Sequence, residues 1–188
     1  MVAIQQRADG AGPQRFRTHL LRLAMSNRDI KILTSASDGL PGYADDRMSS
    51  LLEYWRSMRD GDALPPRGRM DPMDMRDKLA NVFILDVDGD KYRFRLVGEA
   101  LNERYDGRLK GKTINEVLRG EVLDETLEEH GICARDRAPV FTRNTEQTRS
   151  VLEDFQVYQR LLLPLADDGR AVDAIFGCML FMPTEIPS

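Results

Sequence analysis

Residues 82–98, Val82-Phe83-Ile84-Leu85-Asp86-Val87-Asp88-Gly89-Asp90-Lys91-Tyr92-Arg93-Phe94-Arg95-Leu96-Val97-Gly98, decide the fold. Val82 to Leu85 is apolar on both faces of an extended chain, the pattern of a strand covered above and below. Asp88-Gly89 supplies a tight turn, because glycine reaches positive φ without steric cost. The return alternates. Tyr92, Phe94 and Leu96 fall on one face, and Lys91, Arg93 and Arg95 on the other. The stretch is an antiparallel hairpin with one face turned to a core.

Upstream, Asp45 and Asp46 are good N-cap residues. After them Met48, Leu51, Leu52, Trp55 and Met58 recur at helical spacing as one apolar stripe, with Gly61 as a stop. That helix lays Trp55 against the rest of the domain or against a second copy, so Leu51, Trp55 and Met58 are the candidates for a dimer or partner contact. A linker, Leu64 to Arg69, leads to Asp71-Pro72-Met73-Asp74, which opens a short helix: Asp71 caps it and Pro72 fits its first turn. From Met1 to about Gly42 no periodicity persists, and Ser35 to Gly42 is loop chemistry, so residues 1–44 read as a leader and linker. In the first 28 residues Arg7, Arg15, Arg17, Arg22 and Arg28 stand against Asp9 alone. That bias suits a transit-like or amphipathic segment, or an extended start before Met25.

Downstream, Gly98 to about Arg137 is helical and broken. Leu101 and Tyr105 are one turn apart, and Thr113 with Glu116 forms a capping box. A longer helix from about Leu123 carries Leu127 and His130 inward, with Glu125, Glu128 and Glu129 mostly outside. Three strands follow: a polar one from Val140 to Thr148 near an edge, one from Phe155 to Leu165, and one from Val172 to Met182. Successive strands without helical crossovers are antiparallel. The expected class is α+β, a five-stranded antiparallel sheet with helices packed on a face. Residues 45–80 form the flanking helices, 81–183 the core and 184–188 a tail.

In the 188 residues, 41% are apolar, 31% are charged and the formal charge is -4. That is enough apolar material for one core. Proteins that track phosphate carry a basic surplus, so the balance argues against nucleic acid as principal partner. Cys133 and Cys178 sit in apolar or helical patterns, as free cysteines do in a reducing cytoplasm. Apolar runs fall far short of the roughly 20 residues needed to span a bilayer.

The chemical motifs are sparse. Asp86, Asp88 and Asp90 resemble a calcium loop, but Gly89 and Val97 stand where the loop geometry requires otherwise, and an acidic hairpin turn accounts for them. His130 and Cys133 share a helix face without enough companions to close a metal site. No nucleophile elbow or phosphate loop is present, so no catalytic residues are assigned. Phe94, Leu96, Tyr105, Leu127, Tyr158 and Phe176 form an apolar group that is either plain core or the lining of a ligand cavity, with Tyr105 or Tyr158 as its polar contact. Lys91, Arg93 and Arg95 make a solvated strand face or a dock for an acidic partner.

The order of elements resembles a PAS domain. The local sequence is similar to short bacterial PAS proteins with an N-terminal tyrosine-tryptophan helix. The likeness is carried by Tyr54-Trp55, Leu64-Pro65 with Arg67, Asp71-Pro72, Leu79 with Val82-Phe83, Tyr92 to Gly98, and Leu163-Pro164-Leu165, over about residues 47–182. The resemblance implies signal reception without catalysis: a stand-alone module, no output domain following Met182, that binds a small ligand, a signalling partner or both, and forms a homodimer. The alternative is a constitutive docking or dimerisation subunit with a closed core. It also raises haem, held by His130 on the long helix. Photochemical flavin attachment is not expected, because Gly111 to Leu118 contains no cysteine. No cofactor is assigned.

Overall fold

A computed structural model describes residues 28–35, 37–105, 107–147 and 155–182. The hairpin forms as its sequence dictates: β2 (Val82–Asp88) turns at Gly89, φ 60°, into β3 (Lys91–Val97). Upstream lie β1 (Asp29–Ile32), α1 (Asp46–Ser57) and a 3-10 stretch, Pro72–Asn81. Downstream come α2 (Glu99–Arg104), α3 (Ile114–Val117), α4 (Gly120–Asp136), β4 (Val140–Gln147), β5 (Phe155–Leu165) and β6 (Ala174–Met182). The strands make one six-stranded antiparallel sheet in the order β1-β4-β5-β6-β2-β3.

The sixth strand is β1, inside the segment read as leader and linker. Asp29 to Ile32 pairs with Val140 to Arg143, and the Leu33 N–H donates to the Pro139 carbonyl at 2.9 Å. Four residues, half of them charged, are too few to show a period of two. The pairing therefore becomes visible only once β4 is in place. Readings of residues 1–27 and 184–188 fall outside the described residues.

The sheet is buried on both faces. Beneath it, Met48, Leu51, Leu52 and Trp55 of α1 pack with Phe141, Leu161, Leu163, Phe176 and Leu180. Asp45 caps α1, its carboxylate accepting from the Arg47 N–H at 2.9 Å. The buried Trp55 Nε1–H donates to the Pro164 carbonyl at 2.8 Å. Of the two placements expected for this stripe, the rest of the domain or a second copy, the structure shows the first. Leu51, Trp55 and Met58 are all buried and offer no surface to a partner. An apolar stripe on a flanking helix is covered by whichever apolar face is nearest, and here that is the chain's own sheet.

Above the sheet, α2, α3 and α4 form a roof over Phe83, Leu85, Tyr92, Tyr158, Ile175 and Met179. The strongest local constraint is steric. A Cβ on Gly98 would lie 2.3 Å from the Leu79 and Ala80 carbonyl oxygens, so only glycine allows β3 to cross the end of the 3-10 stretch and enter α2. At Gly177 of β6 a Cβ would lie 2.1 Å from the tip of the Phe83 ring, which belongs to the residue paired with it on β2.

Candidate functional site

Between the roof and the inner face of the sheet lies a cavity of about 30 Å³, bordered by Phe83, Phe94, Leu101, Tyr105, His130 and Arg160 among others. That is room for one or two waters, against roughly 300–1,000 Å³ for a small-molecule pocket. Of the sequence candidates, Phe94 and Tyr105 border it. Tyr158 and Leu127 pack in the same inner core without bordering it, and the Tyr158 hydroxyl accepts from Asn144 Nδ2 at 3.2 Å.

Leu96 and Phe176 are not at this site. The ladder between β2 and β3 pairs Ile84 with Leu96 and then Leu85 with Phe94, skipping Arg95. This bulge breaks the alternation, so Val97 takes the inner position beyond Phe94 and Leu96 is left 41% exposed. Phe176 packs on the opposite face against the Trp55 layer. β6 is apolar throughout, and a strand buried on both sides carries no alternation from which its inward residues can be told.

The polar part of the site was not anticipated. Glu129, expected outside, is completely buried, and Arg160 of β5 is 4% exposed. Arg160 Nε donates to Glu129 Oε2 at 3.0 Å, and Nη2 donates to the same oxygen. Arg28, just before β1, donates through Nε to Glu129 Oε1 at 3.0 Å and through Nη1 to Glu128 Oε2 at 2.9 Å. Burial opposes the Arg160 charge, but Glu129, Tyr158 and Tyr105 together outweigh it, and its pKa is raised. A charge this deep persists only when paired. The one signal in the sequence was Arg160 itself, standing inside an apolar strand.

His130 is buried beside this pair. Its Nδ1 donates to the Thr126 carbonyl at 2.7 Å, and Tyr92 and Phe83 pack near its ring. Burial, reinforced by the Arg160 charge, lowers its pKa to about 3, so the imidazole is neutral. A haem does not fit: the space beside His130 holds one or two waters, and Glu129–Arg160 occupies the neighbouring volume. Among the described residues no cluster of His, Cys, Asp or Glu could hold a metal, and Asp86 of the acidic turn instead meets Arg67 at 3.1 Å. Cys133 and Cys178 are free and buried, and burial raises both thiol pKa values, Cys178 to about 12.

A roof of short helices over an antiparallel sheet, with a cavity between, is the arrangement expected of the resembled family. A family model described as PAS domain matches residues 45–180. The chain belongs to the PAS family. PAS domains are sensory modules and generally non-enzymatic. A solved structure of an RNA-binding light-oxygen-voltage receptor aligns with a TM-score of 0.42 at 12% identity, covering 92% of this chain. This PAS chain spans 45% of the length of that receptor. No curated protein matches it. Among the described residues, no helix is long and apolar enough to cross a membrane.

Proposed function

We propose that this PAS domain is a regulatory docking module that works through contact with another protein while its interior stays packed shut. The observation that carries the reading is the cavity of about 30 Å³, too small for a metabolite. The buried Glu129–Arg160 pair beside it supports the same view, because a ligand entering there would have to displace an ion pair already out of water. Free buried thiols fit a reducing cytoplasm.

A thermal-shift screen of the full chain against a metabolite library tests it, since a ligand that binds only the native state must raise its stability. No saturable shift with any compound is expected. A compound that raises Tm in proportion to the logarithm of its concentration, and loses that effect in Phe94→Trp, overturns the closed interior. The ligand-sensing reading would then hold, with Arg160 as its anchor: Arg160 borders the cavity, and its Nη1 makes a long 3.5 Å contact to Thr126 Oγ1.

A further inference from the structure

We propose that the outer edge of β3, with the segment paired to it, is a docking site for an extended acidic peptide segment of a partner protein. This rests on the docking reading and assigns its surface. β3 is the last strand of the sheet, and its free side meets only a short piece of the roof. The Phe94 N–H donates to the Lys112 carbonyl at 2.9 Å, the Gly111 N–H donates to the Phe94 carbonyl at 2.7 Å, and Arg93 bridges to Thr113. A groove opens on either side of this short pairing. The one toward the hairpin turn has a volume of about 430 Å³ and includes Tyr92, Leu127 and Gly131 among its lining. The one toward Gly98 has about 590 Å³ and includes Leu96 and Val97. Both are far larger than the internal cavity.

Cations border both grooves. Lys91, Arg93 and Arg135 line the first, Arg95, Arg108 and Lys110 the second, and Lys112 stands between them. All are exposed. Arg95 meets Asp86 at 3.4 Å and Arg93 donates to the Gly111 carbonyl at 2.7 Å. Among the described residues, no carboxylate stands within ion-pair distance of Lys91, Arg108, Lys110, Lys112 or Arg135. A chain of net charge -4 thus concentrates positive charge along one sheet edge. Leu96, turned outward by the bulge, adds an apolar foothold at the same place. The complement is an extended segment with carboxylates for the rims and an apolar side chain for the floor. A nucleic acid backbone fits less well, because Asp90, Glu99 and Glu103 line the same grooves and would repel continuous phosphates.

The test is selection of a displayed library of random peptides, about twelve residues long, on the immobilised full chain. The selected sequences should be rich in Asp and Glu and contain an apolar residue. The strongest, synthesised with a fluorophore, should bind on the order of tenfold or more weakly to Lys91→Ser/Arg108→Ser/Lys110→Ser/Lys112→Ser, and more weakly as salt rises. Among the described residues these four side chains have no ion pair, so the variant should keep its Trp55 fluorescence and Tm; Leu96→Ser, tested separately, should also weaken binding. An empty selection, peptides without acidic enrichment, or equal binding to the variant overturns the site. Equal binding would leave the docking reading standing with another surface. Tighter binding of a single-stranded oligonucleotide or of phosphatidylserine vesicles at the same salt overturns the peptide assignment.

Discussion

Replacing Glu129 by glutamine keeps the shape of the side chain and removes the charge that neutralises Arg160. Both residues are out of water, with Glu129 at 0% and Arg160 at 4% exposure. Removing one member of a buried pair costs about 3–5 kcal/mol, mostly the penalty of the charge left behind. The opposite change, Arg160→Met, should cost less. Glu129 would still accept from Arg28, whose side chain is 15% exposed, and a hydrogen bond to a charged group is worth about 1.5–3 kcal/mol. Glu129→Leu combined with Arg160→Met removes both charges and should cost less than Glu129→Gln alone. Urea unfolding reads this directly, because Trp55 is the single tryptophan and is buried on the far face of the sheet. Midpoints compared at constant m give the differences. A double variant that costs as much as Glu129→Gln alone or more, or a Glu129→Gln loss below about 1 kcal/mol, would refute the view that these two charges depend on each other.

His130 should make the protein acid-sensitive. Its folded pKa of about 3 lies below the ordinary 6.5, so the unfolded chain binds the extra proton first: stability is whole above about pH 6.5 and falls as pH drops toward 3. At about 1.36 kcal/mol per pH unit, the loss by pH 5 is about 2 kcal/mol, and His130→Gln should remove that part of the slope in urea melts at several pH values. Trp55→Ala should cost about 3–5 kcal/mol, measured by circular dichroism, because it opens a cavity under the sheet and leaves the Pro164 carbonyl without its partner. Sedimentation should show no dissociation of an assembly in this variant before it unfolds.

Most of the fold was legible because its signals are local. The hairpin at 82–98, the helix carrying Trp55 and the last two strands each announce themselves within about ten residues. What escaped depends on partners distant in sequence. β1 is a strand only because β4 receives it. The bulge at Arg95 has no glycine to mark it, so strict alternation placed Leu96 inward. Phe176 lies in a strand apolar on both faces, and no pattern tells which face sees the roof. Glu129 sits among helix residues that are exposed in any isolated helix, and only its distant partners, Arg160 on β5 and Arg28 before β1, explain its burial. The candidate site was accordingly half legible: Phe94 and Tyr105 were found, and the ionic pair was not.

Arg28 and Glu129 meet although they are 101 residues apart in the chain. The hairpin and the β4–β6 meander can close from neighbours, whereas β1 must wait for α4 and β4 to exist before it has anything to join. The carboxylate is therefore expected to acquire its two cations in sequence, Arg160 as the meander docks under the roof and Arg28 as the final latch. Hydrogen exchange at Lys31 and Leu33, whose amides face β4, would then track opening of that latch alone, well below the free energy of global unfolding.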